Sequence, residues 1–129
     1  MFNSLFYTIP AAMDAAILRQ EVIAHNIANV ETPGYKRKDV IFEEELRKVL
    51  YNDDLKLKIS NQKHLNNFPD TVSPKIITQD NTSITNDKNN VDIDYEMTLL
   101  VQNTLRYQTL SRLLSMNIDR YNTALRSVV

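Results

Sequence analysis

The chain has no cysteine and no tryptophan, and a single glycine among its 129 residues. Without cysteine there is no disulfide framework, no thiol nucleophile and no cysteine-ligated zinc. One glycine cannot build the glycine-rich loops that cradle phosphates, so Walker and dinucleotide-binding fingerprints are excluded. Charge of one sign is also missing. Fifteen Lys and Arg face sixteen Asp and Glu, for a net charge of −1. That balance lacks the basic excess of a nucleic-acid binder, so no nucleic-acid partner is expected. No apolar run is long enough to span a bilayer as a helix. No basic residue precedes Arg19, so a cleaved secretory leader is not expected.

What is present is helical patterning at both ends of the chain. A first helix is predicted from Thr8 to Asn29, with Thr8 as its cap and Pro10 in its first turn. Ile9, Met13, Ala16, Ile23, Ile27 and Val30 recur at steps of three and four, interrupted by Gln20. Ala11, Ala15, Leu18 and Val22 run beside them, while Asp14, Glu21 and His25 form one narrow polar stripe. Pro33-Gly34 follows as a turn, proline presetting φ and glycine accepting a positive φ. A short amphipathic helix is expected from Asp39 to Leu50, with Phe42, Leu46, Val49 and Leu50 on one face.

Residues 52–91 differ in character. They carry eight Asn and five Asp, with Phe68 as the sole aromatic. Leu55–Ile59 alternates as a half-exposed strand does, and Ile76–Thr78 is expected to pair with Ser83–Thr85. The last segment, from Asp94 to Ser127, lacks both Gly and Pro. Met97, Leu100, Thr104, Tyr107, Ser111, Leu114, Ile118, Tyr121, Leu125 and Val128 keep a three-four alternation, the spacing of a coiled-coil seam. Asp94 is the expected N-cap, with Glu96 complementing the helix dipole.

The fold expected is therefore mainly α. N- and C-terminal helices pair as a coiled-coil-like bundle around a polar, loop-rich middle holding at most a small β element. Residues 1–50, 51–91 and 92–129 form three segments of one structural domain. At about 1.5 Å per residue the last helix far outreaches the first, so one pairing cannot bury the whole long stripe. The chain is built to complete its core with other subunits.

No catalytic constellation, cofactor site, metal site or small-molecule site is apparent. His25 with Glu21 reads as a surface contact, and His64 as a loop residue. A structural zinc would need four ligands. Asp92, Asp94 and Glu96 read as capping residues, since the central glycine and distal glutamate of a calcium loop are missing. Lys36-Arg37-Lys38 reads as a solvated flank. Tyr107 and Tyr121 sit on the seam, where packing is expected. An enzyme is not expected. A cytoplasmic helical adaptor or secretion chaperone would display similar amphipathic helices, but as a discrete dimer.

The stretch His25-Asn26-Ile27-Ala28-Asn29-Val30-Glu31-Thr32-Pro33-Gly34-Tyr35-Lys36 resembles the N-terminal signature of bacterial flagellar rod, hook and hook-associated axial proteins. Its motif positions here are Asn26, Ala28, Asn29, Thr32, Pro33, Gly34 and Tyr35. Asp39-Val40 with Phe42-Glu43 and Glu45-Leu46 is similar to the short proximal-rod members. So are Asn89, Val91, Asp92, Asp94 and Glu96, followed by Asn103, Leu105 and Tyr107-Gln108. Those members often have Gly where this chain has Lys88, and another short rod protein of the family remains an alternative. The resemblance implies a structural subunit of the hollow axial drive shaft for motility, with no enzymatic role. It implies export without a cleaved signal through the flagellar type III apparatus, and a place in the basal-body rod within the periplasmic space. Partners would be other rod and basal-body proteins and copies of itself. Ile23, Ile27, Met97, Leu100, Tyr107, Leu114, Ile118, Tyr121 and Leu125 would form the assembly seam. Gly34→Val and Leu114→Asp are expected to impair incorporation.

Overall fold

A computed structural model describes residues 2–53, 72–80 and 88–126. The order is α1 (Phe2–Ala28), β1 (Lys38–Ile41), α2 (Glu43–Asp53), β2 (Lys75–Thr78) and α3 (Ile93–Arg126). The expected strand at Leu55–Ile59, the Ser83–Thr85 strand and His64 lie outside the described residues.

The molecule is organised by an antiparallel pairing of α1 with α3. Asn26 near the end of α1 meets Glu96 at the start of α3, and Asn103 reaches the carbonyl of Ala16. The apolar side of α1 buries Ile9, Ala15, Ala16, Val22 and Ile23. The small Ala15-Ala16 pair lets the helices approach closely. Val40, Phe42 and Val91 complete the core among the described residues. Asp14, Glu21 and His25 point to solvent, as their polar stripe requires.

Several boundaries differ from those expected. The first helix begins at Phe2, so Thr8 is not its cap and Pro10 lies inside it. Proline removes one i→i−4 hydrogen bond. The helix nonetheless runs on through that loss. Residues 38–41 are strand, and the helix placed at Asp39–Leu50 starts only at Glu43. Ile76–Thr78 is strand as expected, but its partner is β1, with Val40 opposite Ile76 and Asp39 opposite Ile77. A partner more than thirty residues away overrides the local helical spacing, because Val40 and Ile41 are β-branched. Leu46 N–H donates to Phe42 C=O, starting α2, whose three leading glutamates complement its dipole. The cap of α3 is Asp92, not Asp94. Its Oδ1 accepts from Asp94 N–H at 3.0 Å and Tyr95 N–H at 3.3 Å.

α3 has 34 residues and α1 has 27. At the observed register, the start of α1 lies level with about residue 118 of α3. The last two turns of α3 project past it. No helix among the described residues is long and apolar enough to cross a membrane.

Candidate functional site: a polar junction and an uncovered helix stripe

Two places stand out, one at each end of the helix pair. The first is the junction where α1 ends and α3 begins. α1 unwinds through successive tight turns, with Asn29 N–H to Asn26 C=O at 3.1 Å and Thr32 N–H to Asn29 C=O at 3.0 Å. Asn29 Nδ2 caps the helix end by donating to His25 C=O, and Thr32 Oγ1 donates to Asn29 Oδ1. A further turn closes from Tyr35 N–H to Thr32 C=O, with Pro33 and Gly34 at its centre. Gly34 has φ +74°, which a type II turn demands of its third residue. Nothing lies within 4 Å of a Cβ added there. Backbone conformation, not crowding, therefore selects glycine.

Asn26 is wholly buried and uses its entire hydrogen-bonding capacity. Its Nδ2 donates to Lys38 C=O at 2.8 Å and to Glu96 Oε2 at 3.3 Å. Its Oδ1 accepts from Lys38 N–H at 3.0 Å and from the Tyr35 hydroxyl at 3.2 Å. One side chain thus ties α1, the turn, β1 and α3 together. Asn89 repeats the device. Its Nδ2 donates to the carbonyls of Asn29, Val30 and Thr32, at 3.0, 2.9 and 2.9 Å. Asn90 accepts from Arg37 N–H at 2.6 Å and donates to Gln79 C=O at 2.8 Å. Ahead of them Lys88 stands at φ +63°, and Lys36 Nζ donates to its carbonyl. Lysine here holds a left-handed geometry that glycine would adopt without strain.

Arg37 corrects the sequence reading most sharply. It is not a solvated flank. It is only 6% exposed, and its Nε donates to the fully buried carboxylate of Glu96. Nη1 reaches Asp39 at 3.1 Å, and the guanidinium lies 5.2 Å from the ring centre of Tyr95. Burial alone would lower the pKa of Arg37. The hydrogen bonds and charges of Glu96, then Asp39, carry it above its ordinary value. Burial, and secondarily the Glu96 charge, raises the Tyr35 phenol, so its hydroxyl remains a donor. Glu96 is accordingly a buried ion-pair partner and not a dipole-compensating surface group. A second charged knot lies one side over. The Glu43 carboxylate accepts from Arg19 at 2.9 Å and Arg106 at 2.6 Å, linking α1, α2 and α3. Burial would raise the Glu43 pKa. A hydrogen bond from its own backbone, with Arg19 and Arg106, holds it below 4.5.

The second place is the open side of α3. Glu96, Leu100, Asn103, Tyr107, Leu110 and Leu114 share the side turned to α1. The first and third are buried and the others half-buried. Tyr121 and Leu125 continue this stripe by helical spacing and are 39% and 68% exposed. Of the two seam tyrosines, Tyr107 is half-buried and Tyr121 is the more exposed. Ile23 is buried and Ile27 half-buried, whereas Met97 and Ile118 are open to solvent. Val101 and Leu105 are also exposed on the back of α3. Of the turn motif, the structure brings Asn26, Asn29, Thr32 and Tyr35 together, and Ala28, Pro33 and Gly34 lie at its surface. Among the described residues no group of three His, Asp or Glu could hold a metal ion.

Sequence reasoning missed Arg37, Asn90 and the roles of Asn89, Glu96 and Asn103. A signal existed for two of them. Glu96 and Asn103 sit on a second three-four alternation, 96-100-103-107-110-114, sharing every other member with the seam first chosen.

The comparisons with known proteins agree with the motif. The family described as "Flagella basal body rod protein" matches residues 6–36. The chain is 37% identical to flagellar basal body rod protein FlgB of Borreliella burgdorferi, over 88% of this chain and 90% of that one. It is 34% identical to FlgB of Bacillus subtilis, over 97% and 95% respectively. Against FlgB of Escherichia coli it is 34% identical, over 90% and 88%.

Proposed function

Because the chain belongs to the flagellar basal body rod protein FlgB family, we propose that it works as a non-catalytic subunit of the proximal rod, joining its neighbours through the open stripe of its long last helix. It is a structural component of the flagellar basal body and associates with other rod and basal-body proteins. The finer reading has three parts. Copies of the chain stand beside one another. The terminal helices form the seam. The subunit reaches the periplasmic rod through the flagellar export apparatus without losing a leader.

One observation carries the reading. Leu125 continues the α1-facing stripe by helical spacing past the residues paired with α1, and it is 68% exposed. A stripe of that kind gains about 25 cal/mol for each Å² of apolar area removed from water, offset by the ordering of its side chains. The polar junction supports it from the other end. It fixes where the chain leaves α1, so the helix pair reaches a neighbour as one preformed unit.

The test uses Leu125→Asp. Leu114 is half-buried against α1, so Leu114→Asp disturbs the subunit itself as well as any contact. Leu125 is free of that ambiguity. Quantitative mass spectrometry of detergent-extracted basal bodies is expected to find the wild-type chain enriched and the Leu125→Asp chain strongly depleted, at equal cellular levels. Equal incorporation of the two removes the stripe from the assembly. Absence of the wild-type chain from basal bodies removes the rod reading altogether.

A further inference from the structure

The α1–α3 pair has two broad sides. On the β1 side Arg19 bonds to Val40 C=O and to Glu43, and Arg106 reaches the same carboxylate. About half a turn round, α1 presents Ile17 and Ala24, and α3 presents Ile93, Met97 and Val101. The bonds of Asn26 to Glu96 and of Asn103 to Ala16 set the register. At that register Ala24 stands level with Met97, and Ile17 with Thr104, so the two rows lie side by side on one face. Its four large apolar members, Ile17, Ile93, Met97 and Val101, are between 46% and 59% exposed.

The charges around this face have one sign. Asp14 and Glu21 follow its outer edge on α1, and Asp94 does so on α3; all three are exposed. None of them forms an ion pair among the described residues. Residues 93–105 contain no Lys or Arg, and in α1 the only one is Arg19, which is turned to the opposite side. The rows run for about two turns, the footprint of a helix laid along the pair. The occupant that matches is a helix with an apolar stripe and basic flanks.

The second half of α3 has that chemistry. Ile118 and Leu125 share a stripe there, 44% and 68% exposed. Arg112, Arg120 and Arg126 stand exposed around it, against the single acid Asp119. The two surfaces cannot meet within one molecule, because Val101 and Leu125 lie about 36 Å apart on one helix. A second copy brings them together. Such a contact joins two different surfaces of identical chains, so it propagates along an assembly instead of closing as a two-fold dimer.

We propose that the second half of α3 in one copy docks on the Ile17–Met97–Val101 face of the next, its arginines over Asp14, Glu21 and Asp94. The proposal rests on the rod reading above and supplies the surface that the stripe of the last helix meets.

The chain has no cysteine, so two introduced ones report a single pair of positions. Val101 and Asn122 are both exposed, and changing them leaves Leu125 in place. They lie about 30 Å apart on α3, beyond the reach of a short bis-maleimide within one copy. Basal bodies carrying Val101→Cys with Asn122→Cys are treated with that reagent, and linked peptides are mapped by mass spectrometry. The expected product joins position 101 of one copy to position 122 of another. Asp14→Lys with Glu21→Lys is expected to lower its yield about tenfold through like-charge repulsion, and adding Arg120→Glu with Arg126→Glu to restore it. The same charge variants are also made without the cysteines and read by their incorporated level, so the test does not depend on the cysteines being tolerated. Thermal melting of the purified variants separates these effects from loss of folding. In a chain incorporated at full level, links from positions 101 and 122 only to other proteins, or to nothing, overturn the proposal and leave the rod reading intact. A charge reversal without effect does the same. Absence of the wild-type chain from basal bodies overturns both.

Discussion

The two ends of the α1–α3 pair are built on opposite principles. At the junction, four side chains of fixed geometry (Asn26, Arg37, Asn89 and Glu96) satisfy almost every polar group within reach. At the far end, α3 is lined by exposed apolar residues, Leu125 at 68% above all. Directional bonds define one conformation, whereas apolar surface accepts any complementary cover. The junction therefore holds the subunit together, and the far end is where we propose that a neighbour docks. Both ends belong to the same two helices, so the difference lies in which side chains each turn presents.

The comparison breaks most readily at Glu96. Glu96→Leu leaves Arg37 buried without its carboxylate, and is expected to cost about 3–5 kcal/mol in urea unfolding. The Glu96→Leu, Arg37→Leu double variant is expected to recover much of that loss. If the single variant is as stable as wild type, the ion pair is not what closes the junction. Asn89→Ala frees three carbonyls in the turns after α1, and about 2 kcal/mol is the expected loss. Hydrogen exchange should then accelerate at Thr32 and Tyr35 before it does in the body of α1.

A matched pair of substitutions isolates backbone strain. Gly34→Ala adds a methyl that touches nothing, yet must hold φ +74°, so stability should fall by about 1 kcal/mol. Lys88→Gly relieves the same conformation and should gain a similar amount, less the bond from Lys36 if that carbonyl shifts. Opposite signs confirm that the two left-handed residues are set by the turns and not by packing.

At the other end, Leu125→Asp should change the stability of the isolated subunit by under about 0.5 kcal/mol while blocking its incorporation. A large loss of stability would mean that the overhang is already covered. The smallest effect concerns Glu43. Its pKa is held below the ordinary 4.5, so the folded chain resists protonation that the unfolded chain accepts. The stability it contributes is present above about pH 4.5 and disappears as pH falls through the native value. For so exposed a group the contribution is under about 1 kcal/mol and weakens with salt. In Glu43→Gln that part of the pH dependence should vanish from the melting curve.

Much of the fold was legible because it is periodic. The apolar spacing of α1 and α3 named both helices, and Pro33-Gly34 named the turn with its positive φ. The strand at Lys38–Ile41 was not legible, since its partner lies in β2 and two β-branched residues in four are too short a local signal. The cap at Asp92 was missed by two residues, both candidates being aspartates in the same frame. Arg37 sits between two lysines, and a basic run ordinarily faces water. Its burial depends on Glu96, 59 residues away. The same holds for Asn90 and Asn103, whose partners are carbonyls and amides that carry no residue identity.

By itself the sequence determined the two long helices, the turn between them and the mismatch in their lengths, because these follow from local propensity and spacing. It also determined the apolar stripe that continues along the last helix past its first half. Only the tertiary structure decided which polar residues become interior. A buried charge or amide is stable only where a complementary group waits at hydrogen-bond distance, and that meeting is made by the antiparallel register of α1 and α3. The register brings Asn26 to Glu96 and Arg37 to the same carboxylate, and it leaves one acceptor of Asn103 without a partner among the described residues.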